Sequence, residues 1–211
     1  YGERDNVSDE SNKKRIDRDT EELPEFSICG TTTSGFDRCA AGEYAREYGS
    51  ALRNTRYLDF SDTIQEGFGG NCTNFVSQVL HDGGGLPEIN NNGGQYNSDW
   101  FYESASYRAP PWAGTSEYYD HVRFWAGRNN RYEIVDSIDD LEVGDVISLR
   151  RKTDPEGLRY HTVVVSEKTN RNIYLASNTS NYGREPWYPE GENDGKKDLF
   201  ETFDLLFIKV K

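Results

Sequence analysis

The chain has 211 residues, of which 34% are hydrophobic and 29% charged, and its formal net charge is -13 at pH 7. This length suits one domain with a buried core, alone or with a tail, and no apolar stretch approaches the roughly eighteen residues of a membrane span. The acidic balance argues against nucleic-acid binding, which requires a basic surface, and against tight adsorption to anionic membranes.

Residues 1–25 are almost entirely polar and charged. Such a stretch cannot bury enough apolar surface to fold, so we expect a disordered tail or linker there and one domain over residues 26–211. The polar sequence that starts at Tyr1 does not have the pattern of a signal peptide. That fits either a cytoplasmic protein or the mature form of a secreted one.

Three cysteines are present, Cys29, Cys39 and Cys72. An odd number leaves one thiol over if the other two pair, and a remaining thiol is a candidate nucleophile. Cys29 and Cys39 flank a short run of small residues, so we expect a disulfide between them, which would imply an oxidising compartment. The alternative is three reduced thiols in a cytosolic protein.

Two amphipathic helices are predicted in the first half of the domain. Apolar residues recur at steps of three and four over residues 36–52. A glycine-rich turn over residues 67–71 precedes a second helix, which begins at Cys72 and is ended by three glycines at 83–85.

Residues 86–118 are rich in glycine, asparagine, proline and aromatic residues and show no sustained period. We interpret them as a long loop region whose aromatic side chains either line a substrate groove or fill the core. A short helix is expected over residues 119–129, and the rest of the chain is predicted to be sheet. The predicted strands begin at Val146, His161, Ile173 and Leu205. Helices followed by a run of strands indicate an α+β fold.

Cys72 is the best candidate for a nucleophile. A helix N-terminus favours negative charge, so it stabilises a thiolate, and its free backbone N–H groups can bind a developing oxyanion. The preceding glycines let a substrate backbone approach. The alternative is an unreactive thiol buried on the apolar face of the helix.

Among the three histidines, His161 is the best candidate for the base that a cysteine hydrolase requires. It opens a strand after a polar loop, so its ring can lie beside a cleft. His81 lies at the far end of the Cys72 helix, about 13 Å along the axis. His121 falls in the predicted helix and is expected to be structural.

A third group should orient the imidazole ring of His161. If its strand and the next form a hairpin with an even-length loop at residues 169–172, Asn178 shares the face of His161. A register changed by one residue selects Ser177 instead. We predict a site formed by Cys72, His161 and Asn178. Further candidates for oxyanion or substrate contacts are Asn71, Gln78 and Trp100.

Other chemistries lack their sequence patterns. No HExxH or paired CxxC is present, so no zinc site is expected, and there is no GxSxG or Walker motif. Acidic residues at 59–62 and 97–99 could bind calcium, but they lack a loop signature and are interpreted as a solvated surface. We therefore expect neither a metal nor a cofactor.

Residues 69–78, GGNCTNFVSQ, resemble the segment around the cysteine in the "putative amidase domain" family of Gram-positive bacteria. Weaker similarity extends over roughly residues 36–182. That family is grouped with papain-like hydrolases related to NlpC-type and CHAP enzymes. The resemblance implies a papain-like fold, with the nucleophile helix packed on an antiparallel sheet, and amide cleavage without a named substrate. Two positions depart from the family pattern, because Asn71 replaces an aspartate and Asn178 replaces a frequent histidine.

Two functions fit these features. The first is a cysteine hydrolase that cleaves an amide bond, in a cell-wall peptide or a protein, through an acyl-thioester on Cys72. The second is a non-catalytic secreted binding or effector module that uses the aromatic loop for recognition. We favour the hydrolase because Cys72 and His161 are both present. We expect a secreted monomer that acts on a peptide, peptidoglycan-stem or protein substrate.

Overall fold

The computed structural model describes residues 29–50, 52–61, 70–128, 131–153, 158–170, 172–179, 181–187 and 202–211. The tail expected over residues 1–25 and the predicted start of the domain at residue 26 lie outside them. None of the helices in these segments combines the length and the apolarity that crossing a bilayer requires.

A six-stranded sheet forms the centre of the described fold. Its strands are β1 (Tyr132–Val135), β2 (Val146–Arg151), β3 (Arg159–Lys168), β4 (Ile173–Ser177), β5 (Tyr182–Pro186) and β6 (Phe203–Val210). They lie in the order β1-β6-β2-β3-β4-β5, and every neighbouring pair is antiparallel. The predicted α+β class is therefore confirmed, as is the antiparallel arrangement of the sheet.

Three α-helices precede the sheet in the described part of the chain. They are α1 (Arg38–Gly49), α2 (Cys72–Gln78) and α3 (Thr115–Trp125), and α2 passes without a break into a π-helical segment, Val79–Gly83. Helix α1 begins at Arg38 because the Asp37 carboxylate caps it, accepting a hydrogen bond from the N–H of Ala40 at 3.0 Å.

The third helix, expected over residues 119–129, is present, but it lies four residues earlier, at Thr115–Trp125. The helix follows a 3-10 turn at Pro110–Trp112 and the N-cap Gly114. Its first residues, Thr115, Ser116 and Glu117, are polar and add nothing to the apolar periodicity from which a helix is predicted. The helix ends before Gly127, whose φ of 77° lies in the left-handed region that favours glycine.

Apolar side chains form a core on each face of the sheet. The larger core contains the helices, and Val164 of β3 points into it, whereas Val163 and Val165 point into the smaller core on the other face. The loop aromatics Trp100 and Trp112 are fully buried in the larger core. Most of the aromatic loop therefore fills the core and does not line an open groove.

An ion pair between Arg38 and Asp145 ties α1 to the sheet. The guanidinium lies 2.7 Å from the Asp145 carboxylate, which is fully buried and also accepts hydrogen bonds from the N–H groups of Glu142 and Val210. Burial raises the pKa of Asp145, while Arg38 and these N–H groups oppose that rise. Losing one partner of such a buried pair costs about 3–5 kcal/mol.

The predicted disulfide between Cys29 and Cys39 is present, with the two Cα atoms 5.2 Å apart. Cys39 lies in the first turn of α1, so the bond fixes the chain that enters this helix. Cys72 is not part of a disulfide.

His121 is a buried structural residue, as expected. Its side chain is fully buried on α3, and Nδ1 lies 2.9 Å from the carbonyl oxygen of Asn97. Burial, followed by the charge of Arg131, lowers its pKa from 6.5 to about 3. The ring is therefore neutral near pH 7, and Nδ1 donates its proton to that carbonyl.

Gly84 allows close packing between the end of the second helix and Phe36. A Cβ built on Gly84 would lie 1.9 Å from Cε2 of Phe36, whose ring is also contacted from the side of Gly144. We expect Gly84→Ala to lower the free energy of unfolding by about 1–3 kcal/mol, because Phe36 must leave its packed position. Urea denaturation measures this change.

The matched control for this substitution is Gly30→Ala, since nothing lies within 4 Å of a Cβ at Gly30. The control is expected to unfold at nearly the same urea concentration as the unmodified protein. Equal stability of the two variants would contradict the proposed packing constraint at Gly84.

Candidate active site

Cys72 is the first residue of α2, and its side chain is only 1% exposed. Asn71 stands at the N-cap, and the first hydrogen bond of the helix runs from the N–H of Phe75 to the carbonyl of Asn71 at 2.9 Å. The N–H groups of Thr73 and Asn74 lie ahead of that bond and have no acceptor within the helix. The predicted position of Cys72 at a helix start is confirmed.

The Cys72 thiol has a lowered pKa although it is buried. Burial by itself raises the pKa of a thiol, but a hydrogen bond from His161 and its charge lower it more. The backbone N–H and the hydroxyl of Thr162 also lower it, and together these groups bring the pKa from 9.0 to about 6. A substantial fraction of Cys72 is therefore thiolate near pH 7.

His161 lies between the thiol and a hydroxyl group. Its Nε2 atom is 3.2 Å from Oγ of Ser177 on the neighbouring strand β4. Because Nε2 is engaged there, Nδ1 is the ring nitrogen that remains for the hydrogen bond with Cys72. The structure thus brings together two of the three predicted residues, with Ser177 in the place expected for Asn178.

A β-bulge explains why Ser177 contacts His161. The loop at residues 169–172 has the predicted even length, and next to it Lys168 pairs with Ile173, as the prediction requires. The register then shifts between Val165 and Glu167, so that Val164 pairs with Ala176. This shift moves β4 by one residue and turns Ser177 to the face of His161. The predicted register at Asn178 is wrong for this reason.

Asn178 forms a different set of contacts, with Asn71. The Asn71 side-chain amide donates to Oδ1 of Asn178, and the Asn178 amide donates to the carbonyl of Tyr48 at 2.6 Å. Oδ1 of Asn71 accepts hydrogen bonds from Phe60 N–H and the Asn74 amide. The two positions that depart from the family pattern therefore contact each other, and the pair fixes the start of α2 against α1 and β4.

The structure buries the three residues predicted to contact the substrate or oxyanion, Asn71, Gln78 and Trp100. The Asn71 side chain is 2% exposed, and both its oxygen and its nitrogen bind protein groups. Gln78 lies at the opposite end of α2 from Cys72 and accepts a hydrogen bond from Tyr44. Trp100 is fully buried, and its indole N–H donates to Ser77. Aromatic and amide residues near a nucleophile in sequence are here core residues.

Three buried threonine hydroxyls surround the thiol, and the sequence reasoning missed them. Oγ1 of Thr73 lies 2.9 Å from Thr115 and 3.0 Å from Thr162, and the Cys72 sulfur lies 3.8 Å from both Thr73 and Thr115. Each of the three threonine hydroxyls has one proton to donate. The two hydrogen bonds among these hydroxyls use two of the three protons. Among the described residues, the sulfur is the acceptor left for the third proton. A usable signal was that Thr73 and Thr162 directly follow Cys72 and His161.

No group of three or more histidine, cysteine or acidic side chains in the described segments is arranged to hold a metal ion. The acidic stretch at residues 97–99 is not the solvated surface that was expected. Asp99 is fully buried, and its carboxylate accepts hydrogen bonds from the N–H groups of Asn91, Asn92 and Gly94. It anchors a loop.

Comparison with known proteins places the chain within a family. The model of the "putative amidase domain" matches residues 35–200. The uncharacterized protein YhbB of Bacillus subtilis (strain 168) is 30% identical over 145 residues, which are 67% of this chain. The chain spans only 40% of the length of that relative. No solved structure matches the chain. The chain belongs to the "putative amidase domain" family.

Proposed function

We propose that the chain is a cysteine hydrolase that cleaves an amide bond, with Cys72 as the nucleophile and His161 as its base. The observation that carries this proposal is the hydrogen bond between His161 and the buried Cys72 thiol, whose pKa is lowered to about 6. A buried thiol without such a partner has a raised pKa and is inert. Membership of the amidase family supports an amide as the bond that is cleaved.

The reaction follows from this arrangement. The Cys72 thiolate attacks the amide carbonyl, and backbone N–H groups at the start of α2, with Thr73 among them, stabilise the resulting oxyanion. His161 then gives its proton to the leaving nitrogen, so that the C–N bond breaks and an acyl-thioester remains. Water, deprotonated by His161, attacks the thioester and releases the acid and the thiol.

Ser177 is proposed to orient the imidazole ring. Its hydroxyl at 3.2 Å from Nε2 fixes the rotation of the ring, so that Nδ1 stays directed at Cys72. A hydroxyl can donate or accept, so it can follow both protonation states of His161. The Asn71–Asn178 pair is proposed to hold the Cys72 end of α2 in place.

A papain-like fold and a secreted location are parts of the same proposal. A cysteine at a helix start that faces a histidine on an antiparallel sheet supports the first, and the Cys29–Cys39 disulfide supports the second. The substrate proposed is a cell-wall peptide or a protein amide, cleaved by a monomer. Recognition through the aromatic loop loses support, because Trp100 and Trp112 are buried. Mass spectrometry of products from cell-wall fragments and from casein identifies the substrate.

Cys72→Ala and His161→Ala are each expected to abolish hydrolysis, and the double variant should be no slower than either, because the two groups act as one unit. Iodoacetamide is expected to label Cys72 with a midpoint near pH 6, and His161→Ala should move this midpoint upward. Intact-mass kinetics measure the labelling. Hydrolytic activity of Cys72→Ala would contradict the proposed mechanism, and so would an unchanged labelling midpoint in His161→Ala.

Ser177→Ala is expected to lower kcat/KM by roughly 10–100-fold, with little loss of stability, because the ring loses its orienting group. Asn178→Ala should instead lower the free energy of unfolding by about 1–3 kcal/mol, since Asn71 and the Tyr48 carbonyl lose a partner. Steady-state kinetics and urea denaturation of both variants separate these effects. The opposite pattern would make Asn178 the orienting residue.

Thr162→Val is expected to raise the midpoint of Cys72 labelling by roughly half to one pH unit, because the thiolate loses a hydroxyl donor. Thr162→Ser keeps the hydroxyl and serves as the matched control, with a midpoint close to that of the unmodified protein. Equal midpoints for the two variants would show that the threonine hydroxyls do not stabilise the thiolate.

A further inference from the structure

Two arginine side chains converge on the phenol of Tyr119. Nη1 of Arg123 donates to the phenol oxygen at 3.0 Å, and the Arg159 guanidinium lies over the ring, 4.2 Å from its centroid, and also hydrogen-bonds to Tyr119. Burial alone would raise the pKa of Tyr119, but the two arginines bring it below its ordinary value. Two like charges are thus held at one oxygen atom.

This cluster lies close to the candidate nucleophile. Thr115, at the start of α3, is 3.8 Å from the Cys72 sulfur, and Tyr119 follows one helical turn later on the same face, about 6 Å along the axis. The N–H of Arg159 also donates to the Ser116 hydroxyl at 3.1 Å. The cluster therefore flanks the site on the side of α3.

A second β-bulge directs Arg159 toward this helix. Leu149 pairs with His161, but the next residue of β2, Arg150, pairs with Arg159, so one residue of β3 is left out of the register. With this register the Arg159 guanidinium lies over the ring of Tyr119 on α3.

The carboxylate that attracts Arg159, that of Asp204, is already paired with Arg150. Arg150 pairs with Asp204, whereas Arg159 donates to the carbonyl oxygens of Ser148 and Asp204, and Arg123 donates to Tyr119. The chain has 37 acidic residues against 24 basic ones. Neither arginine nevertheless forms a direct ion pair with an acidic side chain of the described segments, and Asp204, which attracts Arg159, is shared with Arg150. Holding a partly buried guanidinium without a counter-ion is costly, and a bound anion removes that cost.

We propose that Arg123, Arg159 and Tyr119 form a subsite that binds a carboxylate of the peptide substrate. The inference rests on the proposed hydrolase function and specifies its substrate class as an acidic peptide. Guanidinium groups match the planar carboxylate, and the phenol oxygen already accepts from the arginines, so its own proton is available to the ligand. At about 3.3–3.6 Å per residue, the distance along α3 places that carboxylate two or three residues from the cleaved amide.

A pair of peptide-like alkylating reagents tests the subsite. Iodoacetyl-Gly-Gly carries a terminal carboxylate about 7 Å from the reacting carbon, and iodoacetyl-Gly-Gly-amide is its neutral match. Both are reacted with the full chain at low ionic strength, and the labelling rates of Cys72 are compared near pH 6 and near pH 8. An ordinary thiol also reacts at about pH 8, so the preference is measured whether or not Cys72 is activated.

The carboxylate reagent is expected to react roughly three- to tenfold faster than the amide, against the net charge of the chain, and to keep a smaller preference at about 0.15 M salt. Arg123→Gln and Arg159→Gln should each remove most of the preference, whereas Arg159→Lys should keep part of it. Arg128→Gln is the matched control, because it removes one charge just beyond α3, where the Arg128 guanidinium donates to the carbonyl of Phe124 and lies over its ring.

Equal rates of the two reagents in the unmodified protein would overturn the subsite, and so would a preference that survives in Arg123→Gln. If equal rates turn into a preference in the Asp154→Asn, Glu156→Gln double variant, the arginines are neutralised by the chain itself, and the proposal is likewise overturned. A preference seen at pH 8 without labelling near pH 6 would support the subsite and contradict the activated thiol, so the two proposals fail separately.

Discussion

Strand β3 departs from a regular antiparallel ladder at two points, and the contacts of His161 and of Arg159 depend on them. One bulge decides which residue of β4 reaches His161, and the other turns Arg159 toward α3. Between them, Val163, Val164 and Val165 alternate strictly between the two cores. His161 is thus held by a strand that is packed on both faces, and a rigid support of this kind is what an orienting contact requires.

The fold could be predicted where local signals are strong. Runs of β-branched and other apolar residues predicted β2, β3, β4 and β6. The capping residue Asp37 and the apolar stripe that follows it predicted α1. Strand β1 was missed because Glu133 and Ile134 are exposed, and β5 was missed because it contains glycine and proline and no β-branched residue. These two strands exist because they pair with β6 and β4, which no local pattern reveals.

The candidate site divides in the same way. Cys72 and His161 could be predicted to lie together because a helix start and a strand start are visible in the sequence. The contact of Ser177 with His161 depends on one extra residue in β3, which changes the register without any sequence signature. Trp100 was misjudged because burial of an aromatic loop is decided by the elements that cover it. The candidate reactive residues could be predicted from their local positions in the sequence, but their contacts in the fold could not.

His121 makes the stability of the fold fall in acid, over the same pH range in which the Cys72 thiolate is lost. In the unfolded chain a histidine binds a proton below about pH 6.5, but the buried ring resists protonation until about pH 3. The unfolded state therefore takes up the extra proton in that range, and the folded state loses stability as the pH falls through it. Cys72 is reprotonated below about pH 6, within the same range. A neutral or alkaline medium therefore favours both the folded state and the Cys72 thiolate, whereas an acidic medium would weaken both.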